Sequence, residues 1–175
     1  IEVVQHPEHK IYIPQLIFGN LLTSSNYDDN VERTIGGCNG VGSKGCNIFS
    51  ELFEIETVDR VRKLLYVQKF EKNMTIVNPP TITKYTKKPY TIIRFKPDFE
   101  RFKLSSLSDD MHGMFMKRVY DACAVTDNDI TIYLNEVKLD FKNFEKYVDL
   151  YIGSKSEHTR VYEQVNDRWE VIASY

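Results

Sequence analysis

The sequence predicts an α+β fold, and three observations carry that reading: runs of alternating residues through its middle, two helical patterns after them, and a dense glycine segment that enters a short helix. In chain order, Pro14 suits a first helical turn, and Leu16, Ile17 and Leu21 recur at helical spacing, so a helix is expected over Gln15 to Leu22. The polar stretch Thr23 to Asn30 reads as its end and a loop. Gly36 to Gly45 holds five of the eight glycines and leads into Cys46-Asn47-Ile48-Phe49, the apolar face of a short helix. Leu52 to Val58 and Arg62 to Phe70 read as strands joined by a turn at Val58-Asp59-Arg60. Thr75 to Val77 and Tyr90 to Phe95 extend them into an antiparallel meander, with Lys84, Lys87 and Lys88 in a solvated connection. Ser108 to Val125 is the strongest helix, with Asp109 and Asp110 in its first turn. Its predicted core face is Met111, Met114, Phe115, Val119 and Ala122. Ile130 to Leu134, the turn Asn135-Glu136 and Val137 to Leu139 signal a hairpin. Asn143 to Ile152 follows as an amphipathic helix, Gly153 to Thr159 is a polar break, and a last strand pattern starts at Arg160.

A chain of 175 residues has room for one sizeable domain, or one domain and part of another. Its balance of 42% hydrophobic and 27% charged residues is that of an ordinary globular protein, and no apolar run is long enough for a bilayer, so no membrane association is expected. Ile1 to Pro7 has neither a basic nor an apolar leader region and no initiator Met, which suggests a piece of something longer. The net charge of -2 gives no basic surplus for displacing counterions from DNA, so DNA contacts are expected elsewhere in the parent protein. Cys38, Cys46 and Cys123 are odd in number and widely spaced, against a disulfide framework or a zinc site and in favour of a reducing compartment. His6 and His9 share a His-x-x-His spacing, but Pro7 lies between them and no third or fourth ligand stands out, so no metal ligand is assigned in this chain. Glu32, Glu51 and Glu54 read as solvated carboxylates.

Gly36-Gly37-Cys38-Asn39-Gly40-Val41-Gly42-Ser43-Lys44-Gly45 carries the chemistry. Glycines admit positive φ and let a ligand approach the backbone. Successive amides can converge on an anion, the following helix adds its free N–H groups, and Lys44 adds a full positive charge. A Walker A loop is excluded, because Ser43 separates Gly42 from Lys44 and no hydroxyl follows the lysine. Gly40-x-Gly42-x-x-Gly45 matches the dinucleotide fingerprint, but the preceding stretch Asp28 to Arg33 is too polar for its buried strand, and a meander follows where a βαβ crossover is needed. The strand lysine of a kinase glycine loop is absent.

Three stretches resemble the ATPase region of the eukaryotic-type (type IIA) DNA topoisomerases: Leu16 to Asp29, Gly36 to Lys44 continuing through Asn47-Ile48-Phe49-Ser50, and Glu163 to Val171, which looks like the strand that opens their transducer domain. The resemblance implies a Bergerat (GHKL) two-layer sandwich. Its sheet is mixed but mostly antiparallel, helices cover one face, and the fold is incomplete at the N-terminus. Residues 1–157 would be the central and C-terminal part of the ATP-binding domain and 158–175 the first strands of the transducer. It also implies that Ser24, Ser25 and Asn26 reach the ribose and phosphate side of ATP. Gly37, Cys38, Asn39, Gly40, Val41, Gly42, Ser43 and Lys44 would wrap the triphosphate, and Thr91 would lie near the adenine. Family members commonly carry Arg where this chain has Cys38, which costs about 1–2 kcal/mol of nucleotide binding if that contact is made. The general base and the Mg²⁺-holding Asn of the family lie upstream of Ile1, so no catalytic residue is assigned. The implied function is ATP-driven closure of a homodimer gate and passage of one DNA duplex through another, in a nucleus or in a large DNA virus and its host cell. The alternative is a non-hydrolysing nucleotide-binding or scaffold module of the same fold.

Overall fold

The structure, a computed structural model, describes residues 1–28, 30–32, 37–141 and 143–175. Asp29 and Gly36, named above in the resembling stretches, lie outside them. The chain forms two compact units, Ile1–Ser105 and Ser106–Tyr175.

The first unit opens with an extended segment that pairs Gln5 with Tyr12 and enters α1, Ile13–Gly19. α1 stops earlier than its spacing predicted. Thr23 Oγ1 donates to the carbonyls of Leu16 (3.2 Å) and Asn20 (3.0 Å), while Ser43 Oγ and Asn47 Nδ2 take the Ile17 and Phe18 carbonyls that a further turn would need. Leu21, placed at helical spacing with Leu16 and Ile17, falls after the helix and is 54% exposed. α2, Gly42–Ile48, starts inside the glycine segment rather than after it, because Gly45 N–H closes the first turn on Val41 O at 2.8 Å. Next come β1 (Ser50–Asp59), β2 (Leu64–Glu71), β3 (Ile76–Val77), β4 (Thr81–Lys84) and β5 (Thr91–Pro97). They form a five-stranded sheet of order β3-β2-β1-β5, with β4 also on β2, and each pairing is antiparallel. β4 takes up Lys84, which the sequence placed in a connection.

Alternation sorts β1 and β2 into two faces. Phe53, Ile55 and Phe70 are buried and receive Phe18 of α1 and Cys46 of α2, so both helices cover one face of the sheet. On the other face Glu51 pairs with Lys96 and is exposed as expected, whereas Glu54, read as solvated, is largely covered by Arg94 (2.7 Å) and Lys69 (3.3 Å).

The second unit contains α3 (Asp109–Val125), β6 (Tyr133–Leu134), β7 (Val137–Lys138), α4 (Phe144–Ile152), β8 (Arg160–Asn166) and β9 (Trp169–Ser174). Ser108 Oγ accepts from Met111 N–H and Asn143 Oδ1 from Lys146 N–H, so each helix begins at a side-chain cap. The predicted core face of α3 is rotated: Cys123 and Ala124 are its buried residues, and Met114 is 61% exposed. Asn135 and Glu136 both have positive φ, the geometry that turns β6 tightly into β7. The stretch Glu163 to Val171, expected as one strand, is an antiparallel hairpin that turns at Asp167 and Arg168. Among the described residues no helix is long and apolar enough to cross a membrane.

Candidate functional site

Two stretches of the first unit meet beside α2. Residues 37–44 lie against Thr23 to Tyr27, the segment that leaves α1, and polar bonds join them in both directions. Asn26 Nδ2 donates to Gly37 O at 2.7 Å, and the Tyr27 hydroxyl donates to Asn39 O at 3.2 Å. The Cys38 thiol donates to Asn26 O at 3.4 Å, and Lys44 Nζ donates to Thr23 O at 3.1 Å.

Gly40 sits at the closest approach. Its φ is +58°, and a Cβ there would stand 2.3 Å from Thr23 O, so both backbone conformation and space demand glycine. Gly37, Gly42 and Gly45 differ: a Cβ on any of them would meet nothing within 4 Å. Packing among the described residues gives no reason for their bareness.

α2 is fixed from behind. Asn47 Nδ2 donates to Phe18 O (3.0 Å), Ser43 Oγ donates to Ile17 O (3.5 Å), and Cys46 packs into the core, where burial raises its thiol pKa. Val41 precedes the first turn and makes no side-chain cap, which leaves the leading amides of α2 to other acceptors.

Lys44 is the electrostatic centre. It is 2% exposed, and burial pulls its pKa below the ordinary lysine range. An ammonium has three N–H donors. Among the described residues Lys44 donates to the Thr23 carbonyl and has no carboxylate within ion-pair distance. A buried cation without a counter-charge costs several kcal/mol. The arrangement therefore favours an anion that can reach the ammonium.

Of the residues singled out from sequence, Ser24 to Asn26 and Gly37 to Lys44 are brought together. Within that group Ser24 Oγ accepts from Asn26 N–H (3.1 Å) and Ser25 Oγ donates to Asn26 Oδ1 (3.4 Å), so both serines shape the turn that presents Asn26. Thr91 stands apart. Its hydroxyl shares a 2.7 Å hydrogen bond with buried Thr57, which also accepts from the Ile1 ammonium (3.3 Å). It lines a separate open cleft of about 440 Å³ with Ile1, Val58, Asp59 and Tyr90. Sequence reasoning missed Thr23, Tyr27 and Asn47. Tyr27 and Asn47 each donate to backbone far along the chain and Thr23 offers its carbonyl to Lys44, bonds that no spacing rule announces.

No family model matches the chain. Individual relatives do. The chain is 45% identical over 188 aligned residues to DNA topoisomerase 2 of Candida glabrata, and equally so to that of Saccharomyces cerevisiae. It is 43% identical over 176 to DNA topoisomerase 2-alpha of Homo sapiens. These alignments take in 98% of the chain but only 11 to 13% of the relatives, so it spans about an eighth of their length. Among solved structures, the ATPase region of Saccharomyces cerevisiae topoisomerase II superposes with a TM-score of 0.90 at 47% identity, over 98% of this chain and 45% of that one. The ATPase and transducer domains of DNA topoisomerase II from Balamuthia mandrillaris give 0.88 at 40% identity, over 98% and 44%. In sequence and in backbone course alike, the chain is a homologue of the ATPase region of eukaryotic DNA topoisomerase II.

Proposed function

We propose that this chain is the phosphate-gripping part of an ATP-binding module whose parent is a type II DNA topoisomerase. In that parent, ATP binding and hydrolysis would close a homodimer gate and drive one DNA duplex through another. The observation that carries the reading is the buried ammonium of Lys44, without a counter-charge among the described residues and set between a glycine loop and the start of α2. A triphosphate supplies the missing negative charge and the bond that hydrolysis breaks.

The chain's own residues bind and orient. Lys44 exchanges its bond to Thr23 O for a phosphate oxygen, an ion pair stronger than the ammonium–carbonyl bond it replaces. The backbone from Gly37 to Ser43 offers amide donors, and Asn26 and Tyr27 hold that backbone in place through Gly37 O and Asn39 O. Ser24 and Ser25 face the ribose side, and Thr91 is assigned to the adenine end. The groups that converge on the loop are mainly donors, suited to phosphate rather than to Mg²⁺, which prefers carboxylate and water oxygens. The described residues of this part give that ion no dedicated site, and its ligands are assigned to the parent, upstream of Ile1. DNA contacts, the general base and a nuclear location belong to the same proposal, as does a division of the chain into residues 1–157 and 158–175.

Lys44→Ala in the complete protein is expected to abolish ATP-dependent relaxation of supercoiled DNA. Unchanged relaxation by that variant would remove Lys44 from the mechanism. A second reading, a nucleotide-binding module that does not hydrolyse, draws on Cys38: its thiol turns back to Asn26 O where the family commonly has a guanidinium. Measured ATP turnover by the parent separates the two.

A further inference from the structure

We propose that the turn ahead of α1 binds a first-row divalent cation of the zinc class through His6, Glu8 and His9. The site is independent of the nucleotide loop.

The turn is closed before any ion arrives. Gln5 bridges Tyr12, His6 N–H donates to Ile11 O at 2.8 Å, and Lys10 N–H donates back to His6 O at 3.0 Å. Lys10 takes a positive φ of 57° to complete the reversal, and Pro7 restricts the backbone within it. The side chains of residues 6, 8 and 9 emerge together. One ligand atom from each of His6, Glu8 and His9 lies within 4.8 Å of the others, and the imidazole centroids are 4.8 Å apart at a 45° tilt. Glu8 is the third ligand that the His-x-x-His spacing alone does not suggest.

Ligand atoms on zinc sit about 2.0–2.2 Å from the metal, so three of them lie roughly 3.3 Å from one another. Closing the observed spread takes small rotamer changes, open to the exposed side chains of Glu8 and His9. Nδ1 of His6 now accepts only long bonds, 3.3 Å from Glu8 N–H and 3.4 Å from His9 N–H, weak enough to give way to a metal–nitrogen bond. Two imidazoles and a carboxylate form a borderline set that suits Zn²⁺, Ni²⁺ or Cu²⁺ and is poor for Mg²⁺ or Ca²⁺. Three protein ligands leave a fourth position for water. An ion held there would clip the turn shut and stabilise the fold by mass action.

The test is calorimetric titration of the chain with Zn²⁺, and with Co²⁺ followed by its absorption spectrum. One Zn²⁺ per chain is expected, with Co²⁺ visible bands and no thiolate charge-transfer band. Losing an outer-shell partner alone costs about 10–100-fold in metal affinity, so His6→Ala and His9→Ala should each cost at least that. Glu8→Gln should weaken binding less. Cys38→Ser and Cys46→Ser should leave it unchanged. Circular dichroism of each variant should match the parent, since the changes lie on an exposed turn. Absence of binding by the intact chain, undiminished binding by His9→Ala, or a thiolate signature with Co²⁺ would each overturn the proposal.

Discussion

In residues 1–105 a five-stranded sheet closes over Phe53, Ile55 and Phe70, whereas in residues 106–175 the buried set is Cys123, Ala124, Leu139 and Arg160. The first unit is held by apolar side chains removed from water, each worth about 1.5–3 kcal/mol on burial. The second relies on polar contacts. Asp121 takes Lys117 at 2.9 Å, Arg118 at 3.2 Å and the Tyr147 hydroxyl, while Arg160 reaches Asp149 at 2.6 Å and Gly153 O at 2.5 Å. Such pairs are worth little where water reaches them. The glycine loop belongs to the unit with the firm core, as a loop placed by backbone bonds requires.

The contrast is broken most directly by Phe53→Ala. This change should cost about 3–5 kcal/mol, seen as faster hydrogen exchange across β1 and β2. Trp169→Ala, at a residue 65% exposed, should stay within about 0.5 kcal/mol. Equal losses from the two would erase the distinction between the units.

Asp59 gives the next effect. Burial pushes its carboxyl pKa up, but donors from Arg62 N–H, Val3 N–H, the Arg62 guanidinium and Val61 N–H outweigh that and hold it well below the usual range. A depressed folded pKa means that its contribution is complete above the unfolded value of about 4 and is lost as pH falls below it. Asp59→Ala should therefore cost at least about 2 kcal/mol at neutral pH, measured by urea unfolding. It should also flatten the loss of stability below about pH 4, so an unchanged acid profile would contradict the assignment. A smaller effect than that of Asp59 is expected in the second unit, where Ser108→Ala removes the cap of α3 and costs about 1 kcal/mol, read from hydrogen exchange in its first turn.

What could be read beforehand follows the range of the interactions. Alternation in Leu52 to Phe70 is a local pattern and it located β1 and β2 to within about two residues. The caps Ser108 and Asn143 and the turn Asn135-Glu136 are equally local. The end of α1 was not legible, because Ser43 and Asn47 reach the Ile17 and Phe18 carbonyls from far along the chain. Nor was β4, since Pro79 and Pro80 hide a four-residue strand that exists only by pairing with β2. At the site, Gly40 and Lys44 stand out from composition and charge. The hold of Tyr27 on Asn39 O does not, being a tertiary bond to a carbonyl that every residue type carries. Glu8 was likewise hidden until the turn brought it beside the two imidazoles.

Beneath α1 lies a polar chain with a mechanical consequence. Tyr66 donates to Gln68 Oε1 at 2.5 Å, and Gln68 Nε2 donates to Gln15 Oε1 (3.1 Å) and Asn78 O (3.0 Å), all under the helix. Sliding β2 by one position would drive Lys69 inward and orphan these amides, so the helix has a single seat on the sheet. Because α1 also supplies the Ile17 and Phe18 carbonyls that anchor α2, the loop inherits that alignment. Placement of the loop thus depends on a glutamine seated beneath α1.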